Sequence, residues 1–255
     1  MDVLIPIYYS NKDYLVESIK SLLNQSLKPN IICILNGMDE FSNNFYMEIL
    51  SELKVHRIVN SPKKGISNAL NYGINFCNSK YIARQDDDDI SHPDRIKKQK
   101  DYLDIKNVDI IGSNVILIDE FGRKIGKRKY PETNEECCST LAYKTCFCHP
   151  SIMVKKEFFK KNKYPNISGE DYALWLKTYR NNIFNNYQEN LYNYRIHPKQ
   201  ISKTNINYLY FQESKKVIQK LEKRSSKVKA TLYLILVMVF CFFKRRKIDF
   251  KTRLS

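Results

Sequence analysis

Short apolar runs, each too brief to make a helix, alternate with segments of helical spacing from the N-terminus to about residue 105. The runs are residues 3–7, 31–35, 55–59 and a stretch from Tyr81 into an acidic tetrad. Between them, Leu15, Ile19, Leu22 and Leu23 recur at helical spacing within 13–23, Phe41, Phe45, Ile49 and Leu53 within 40–53, and Ile66, Leu70 and Ile74 within 66–76, with a further helix over 94–105. Strands that are apolar on both faces need cover on both sides, so the alternation predicts an α/β fold, a parallel sheet with helices on its faces. Ligands of such sheets bind off the carboxyl ends of the strands, where Asn36 and the tetrad fall. Beyond residue 108 the rhythm changes. Residues 115–118 and 124–129 flank the turn Glu120-Phe121-Gly122 as a hairpin, 152–154 and 191–194 read as strands and 172–179 as a helix. The sheet is therefore expected to be mixed but mainly parallel, with a helix over 206–221 outside it.

The tetrad Asp86-Asp87-Asp88-Asp89 is conspicuous because the chain as a whole is basic, with 43 Lys and Arg against 27 Asp and Glu and a net charge of +16. Four adjacent carboxylates repel one another unless they splay into water or gather around a hard cation. An EF-hand is excluded: counted from Asp86, Ile90, Ser91 and Lys97 stand where that loop needs a ligand, a glycine and a bidentate glutamate. No glycine-rich phosphate loop follows the first strand either, which leaves Mn²⁺ or Mg²⁺ bridging acidic side chains to a diphosphate. The seven cysteines follow no secretory signal and fit a reducing cytoplasm. Cys137, Cys138, Cys146 and Cys148 beside His149 lack the spacing of a zinc knuckle.

Residues 230–243 are uninterruptedly apolar and lie between Lys227 and Lys229 on one side and Lys244-Arg245-Arg246-Lys247 on the other. As a helix this run reaches ~21 Å, short of the ~30 Å hydrocarbon layer. Basic flanks suit a segment lying on an anionic membrane surface, with a buried core helix as the alternative.

Several segments in order resemble family 2 glycosyltransferases. Val3-Leu4-Ile5-Pro6-Ile7-Tyr8-Tyr9 followed by Ser18 to Gln25 looks like the family's opening strand and Ser-x-x-x-Gln helix. Gly65-Ile66-Ser67-Asn68-Ala69-Leu70-Asn71, the segment from Tyr81 to Asp89, Pro93-Asp94-Arg95 with Gln99, His149-Pro150-Ser151, Gly169-Glu170-Asp171-Tyr172-Ala173-Leu174-Trp175 and Tyr194-Arg195-Ile196-His197 are similar to its bacterial surface-polysaccharide branch. The likeness covers about residues 1–202 and leaves 203–255 as a helical, membrane-associating appendage.

The resemblance implies a GT-A fold and an inverting transfer from a nucleotide-sugar donor, a UDP-sugar, to a lipid-linked saccharide acceptor in capsule or O-antigen synthesis. It places the protein at the cytoplasmic face of the bacterial inner membrane, against an anionic membrane surface and without a nucleic-acid partner. Asp86, Asp88 and Asp89 match the metal-binding DxD positions for Mn²⁺ or Mg²⁺, and Asp87 falls on the variable place. Asp171 matches the general base. Pro6, Tyr8, Asn36 and Asn68 are implied to contact the nucleotide, and Arg84, Asp86, Arg195 and His197 the diphosphate side. Asn36 stands where the family has an aspartate, and Tyr9 where it has an asparagine. Trp175, one turn after Asp171, is either a core anchor or a stacking platform for an acceptor sugar.

Two other classes stay open on sequence alone. One is a basic nucleic-acid-binding module, supported by charge and by 18 tyrosines but opposed by the tetrad and lacking any RNA- or DNA-binding signature. The other is a non-catalytic transferase-like scaffold, which the departures at Tyr9 and Asn36 would suit.

Overall fold

A computed structural model describes residues 1–142 and 144–198, together with 227, 228 and 231. The expected helix over 206–221, the apolar run 230–243 and most of the appendage lie outside the described residues. Among the described residues, no helix is long and apolar enough to cross a membrane.

The N-terminal half follows the alternation: β1 (Asp2–Ile7), α1 (Lys12–Leu23), β2 (Asn30–Leu35), α2 (Glu40–Glu52), β3 (Arg57–Asn60), α3 (Ile66–Gly73) and β4 (Tyr81–Arg84). The strands pair in parallel in the order β3-β2-β1-β4. Period-two alternation divides the core into two layers. Leu4, Ile32, Ile34 and Ile82 point to one face and pack under α3, while Val3, Ile5, Ile7, Cys33 and Leu35 point to the other against Leu15, Ile19 and Leu22 of α1. At ~1.5–3 kcal/mol for each large aliphatic side chain fully buried, these layers are the main stabilising term.

The second half departs from strict alternation. Short β5 (Ile90–Ser91) and α4 (Arg95–Ile105) lead to long β6 (Ile110–Ile118), which turns back into β7 (Lys124–Arg128). After α5 (Asn134–Leu141), β8 (Met153–Lys155), α6 (Lys156–Lys161) and α7 (Glu170–Thr178), the chain ends its described core in β9 (Phe184–Arg195). β8 is antiparallel to both β4 and β6, and β9 runs parallel to β6 and antiparallel to β5. The nine-stranded sheet is thus mixed, as expected, but not mainly parallel: the β1–β2, β1–β4, β2–β3 and β6–β9 pairings are parallel and the β4–β8, β6–β8, β6–β7 and β5–β9 pairings antiparallel, because the second half is built from a hairpin and short reversing strands. Helices α5, α6 and α7 join the α3 layer around Trp175, which is fully buried among Phe147, Phe158, Phe184 and His149, so it is a core anchor.

Pro6 sits inside a central strand without breaking its ladder. Leu4 accepts from Gln85 N–H, the last link between β1 and β4, and alternation aims position 6 to the same side, where β4 has already left. The missing N–H therefore has no partner to lose. That departure of β4 from β1 opens the gap into which the acidic tetrad turns.

Candidate active site

Gln85 latches the start of the acidic loop to its surroundings. Fully buried, its Nε2 donates to Ser18 O and Oγ of α1, and its Oε1 accepts from Ser91 Oγ and Arg95 Nη1. Arg95 is buried as well and donates to the Arg84, Pro150 and Ile152 carbonyls, with Gln99 holding its Nε. Two of the motif residues therefore act as struts beneath the loop. Ser18 Oγ donates to Asp86 O at 2.9 Å, and the Tyr192 hydroxyl accepts from Asp86 N–H at 3.1 Å.

So held, Asp86, Asp88 and Asp89 bring carboxylate oxygens within 4.8 Å of one another. Burial pushes the Asp88 and Asp89 carboxyls up, and their like-charged neighbours push them further. Asp89 Oδ1 accepts the Arg195 backbone N–H at 2.7 Å, whereas its Oδ2 is buried with no hydrogen-bond partner. His197 Nε2 lies 2.9 Å from Asp88 Oδ2. A hard divalent cation fits this set: converging oxygens, repulsion to relieve and one orphaned buried acceptor.

Arg84, the last residue of β4, is 6% exposed and pairs with Asp86 Oδ1 through Nη2 at 2.7 Å. Its Nε and Nη1 are buried without partners. The guanidinium thus lies under the loop and faces inward. Its charge holds down Asp171 and Glu170 and presses the His149 imidazole down.

Those three residues form the opposite wall. α7 starts at Gly169, whose φ of 73° is a left-handed conformation that suits glycine, and Glu170 and Asp171 occupy the first turn. Burial raises the Asp171 carboxyl; the Tyr172 backbone N–H and Arg84 oppose that. Glu170 goes from an ordinary 4.5 to about 7, first by burial and then by the Asp171 charge. His149, buried and pushed well below its usual range by desolvation, is neutral; its Nε2 lies 3.0 Å from the Tyr164 hydroxyl and its Nδ1 4.0 Å from Glu170.

The third wall is at the ends of β1 and β2. Tyr8 is half-buried with Lys64 Nζ 4.8 Å from its ring centroid. Asn36 is buried and its Oδ1 accepts from Gly65 N–H at 2.8 Å, while Asn68 Nδ2 donates to Lys64 O at 2.8 Å. Gly37 has a φ of 60°, and a Cβ there would stand 2.7 Å from Lys64 N, so the two loops pack backbone to backbone. Tyr9 takes a φ of 48°, unfavourable for an aromatic residue, and its hydroxyl donates to Asp39 Oδ2 at 2.8 Å.

The structure thus gathers Arg84, Asp86, Asp88, Asp89 and His197 at the loop, Tyr8, Asn36 and Asn68 on the strand-end side, and Asp171 across Arg84. Two expected ligand contacts are placed otherwise. Pro6 is buried in β1. Arg195, 1% exposed, donates through Nε to Asp88 O, through Nη1 to the Asp119 and Glu120 carbonyls and through Nη2 to Glu17, so it braces the loop from behind and does not close over a diphosphate. Asp87, at the variable position, has its carboxyl pushed well up by burial and by the Asp88 and Asp86 charges, only partly offset by the Tyr8 backbone and the Ser10 side chain. Lys64 was legible as a cation beside the Gly65 helix start; Glu17, on the outer side of α1, carried no such signal.

Comparison with known proteins bears on the family and the fold. A sequence model described as glycosyl transferase family 2 matches residues 2–163. The O-antigen biosynthesis glycosyltransferase WbnJ of Escherichia coli is 34% identical over 218 residues, covering 82% of this chain and 84% of WbnJ. An Escherichia coli UDP-Gal:alpha-D-GlcNAc-diphosphoundecaprenol beta-1,3-galactosyltransferase is 31% identical over 190 residues, covering 70% of this chain and 67% of that protein. Among solved structures, S. aureus TarS 1-349 in complex with UDP-GlcNAc superposes with a TM-score of 0.66 at 16% identity, over 91% of this chain and 70% of that one, a likeness of fold. Against a longer TarS chain the present chain spans 42% of the length.

Proposed function

The chain belongs to glycosyl transferase family 2, and from that premise we propose that it moves a sugar from a nucleoside diphosphate sugar, a UDP-sugar, to a hydroxyl of a lipid-linked saccharide during bacterial surface-polysaccharide assembly. The carrying observation is that one buried cation, Arg84, is paired with Asp86 of a three-carboxylate cluster while its charge also acts on the desolvated carboxyl of Asp171.

A sugar hydroxyl is a weak nucleophile, and a diphosphate leaves with developing negative charge. A bound Mn²⁺ or Mg²⁺, held by Asp86, Asp88 and Asp89, supplies the neutralisation of that charge. Asp171 takes the proton of the attacking acceptor hydroxyl on its carboxylate; its raised affinity for protons makes it a better base than an exposed aspartate. Glu170 and neutral His149 keep the wall beside it dry and, at neutral pH, low in charge. A single base opposite the leaving group supports direct displacement with inversion at the anomeric carbon. Tyr8 offers a ring face to the base and Asn36 Nδ2 a donor to its edge.

A lipid-linked acceptor is supported by relatives whose names specify O-antigen biosynthesis and a diphosphoundecaprenol substrate, and such an acceptor is met at a membrane. We accordingly place the protein at the cytoplasmic face of the inner membrane, with the basic, apolar segment 227–247 on an anionic surface.

A panel of nucleotide sugars screened by thermal unfolding with MnCl₂ or EDTA tests the donor half. A donor at about 100 times its Kd stabilises by ~2.7 kcal/mol, about 5–10 °C for a chain of this size. The shift should appear with a UDP-sugar and vanish in EDTA. Shifts of equal size in EDTA, or none with any nucleotide sugar, would overturn the assignment.

A further inference from the structure

The β6–β7 hairpin presents apolar and basic side chains that the transfer chemistry leaves unused. Its turn is preorganised: Asp119 Oδ1 accepts the backbone N–H groups of Phe121 and Arg123, and its Oδ2 takes the Arg123 guanidinium. Phe121, at the tip, is 72% exposed. Ile125 is the extra residue of a bulge, because the register passes from Leu117↔Gly126 to Ile118↔Lys124, and it is thrown out to 55% exposure. Lys124 stands beside Ile125, and Lys127, Arg128 and Lys129 follow along β7 and its exit; all four are exposed and make no ion pair among the described residues, and Arg128 reaches to 6.0 Å from the Tyr194 ring centroid.

Isolated exposed apolar residues are ordinary. Two on a rigid turn within a cluster of cations are the composition of a surface that enters an anionic lipid interface. The other exposed aromatic patch, Phe41 and Phe45, lies on α2, which carries Glu40, Glu48 and Glu52 and no Lys or Arg; its charge has the wrong sign for such a surface.

The hairpin is also tied to the catalytic loop. Arg195 donates to the carbonyls of Asp119 and Glu120 in the turn and to Asp88 O in the tetrad, and Ile196 N–H donates to Ile118 O. Whatever orients the turn therefore orients the metal-binding carboxylates.

We propose that this hairpin is a bilayer-docking element, in which Phe121 and Ile125 enter the interfacial layer of an anionic membrane while Lys124, Lys127, Arg128 and Lys129 meet lipid phosphates. The purpose, holding the active site over a lipid-linked acceptor, rests on the function proposed above; the docking does not. It adds a second contact, rigidly linked to the active site, to whatever residues 227–247 contribute.

The test uses the full chain carrying Phe121→Trp, since the native Trp175 is buried and gives a constant background. With phosphatidylcholine vesicles containing phosphatidylglycerol, the new fluorophore should shift to the blue and lose access to acrylamide, and with pure phosphatidylcholine it should change little. Adding Lys124→Glu and Lys127→Glu should weaken partition by at least about tenfold. An unchanged reporter on vesicles that nonetheless sediment the protein would assign docking to another segment and overturn the proposal. A reporter that responds to RNA, or to protein concentration, and not to vesicles would overturn it equally. Metal-dependent UDP-sugar stabilisation of the Phe121→Trp protein reads the donor site separately, so loss of docking and loss of the transferase function are told apart.

Discussion

Replacing Arg84 by methionine separates the two roles the structure gives it. The ion pair to Asp86 spans 2.7 Å between side chains that are 8% and 30% exposed. With ~4 Å between charge centres and an effective dielectric constant of about 20, the attraction is ~4 kcal/mol. Against it stands the cost of a guanidinium with Nε and Nη1 buried and unpartnered, ~1 kcal/mol for each nitrogen and about 2 kcal/mol together, that methionine would relieve. The pair wins by ~2 kcal/mol, and at about 2–4 °C per kcal/mol the metal-free variant should unfold about 4–8 °C below the parent. Bound metal reverses the balance, because the guanidinium and the cation compete for Asp86 and repel each other. In saturating MnCl₂ the gap should close, so that the variant gains more from metal than the parent does. Differential scanning fluorimetry in EDTA and in MnCl₂ measures both. A gap of the same size in the two conditions would show that Arg84 contributes through packing alone, and equal melting in EDTA would show that the orphaned nitrogens cancel the pair.

Asp171→Asn should abolish transfer while leaving the metal-dependent donor shift in place; retained turnover would remove Asp171 from the base role. Glu170 has its carboxyl raised from 4.5 to about 7 with its side chain 13% exposed, so the folded state holds that proton more tightly than the unfolded one. Stability from this group is full below about pH 4.5 and lost as pH rises through 7, so Glu170→Gln should stabilise the protein by up to ~3 kcal/mol at pH 8 and by little at pH 4.5. A gain that is flat across pH would contradict the linkage. Asp88→Ala should lose the Mn²⁺-dependent donor shift, whereas Asp87→Asn should raise metal-free stability by relieving repulsion; an intact Mn²⁺ response in the first would sink the metal site. Tyr9→Asn exchanges a left-handed aromatic residue, ~1–2 kcal/mol of strain, for one that tolerates φ of 48° and gives up an exposed hydrogen bond of ~0.5 kcal/mol. Melting should rise by about 1–6 °C, and a fall would mean that the Asp39 contact outweighs the strain.

What was legible in the sequence follows from how local each signal is. Strands β1, β2 and β4 declare themselves as short unbroken apolar runs, and helices α1, α2 and α4 by polar caps and apolar residues recurring every third or fourth position. β9 was visible only over 191–194, although it runs Phe184–Arg195, because its first half, Asn185-Asn186-Tyr187-Gln188-Glu189-Asn190, earns its place through side-chain hydrogen bonds such as Asn186 Nδ2 to the Pro131 and Cys146 carbonyls. β3 begins two residues later than the expected 55–59, after Lys54 takes a left-handed turn. α5 was missed although Thr133 and Glu136 spell a capping box, which the structure forms. In the site, residue types pointed to the three carboxylates that the fold gathers, while direction escaped: nothing local distinguishes an arginine that reaches a ligand from Arg195, whose partners lie 75 to 178 residues away in sequence.

The two departures from the family pattern bear on whether the site is a working one. Tyr9 and Asn36 would be expected of a decayed binding fold only if the costly parts of the site had relaxed with them. They have not. Asp87, Asp88 and Asp89 are held where burial and mutual repulsion raise all three, Asp89 Oδ2 and two Arg84 nitrogens are buried without partners, and Asp171 is kept desolvated. Each of these destabilises a metal-free, ligand-free chain, and single neutral substitutions at Asp87 or Glu170 would relieve it. The departures are instead compensated where they occur: the Tyr9 hydroxyl finds Asp39, and Asn36 Oδ1 takes the Gly65 N–H. A scaffold needs the sheet and the nucleotide pocket but has no use for repelling carboxylates near a desolvated Asp171, and their presence together supports the transferase reading proposed above.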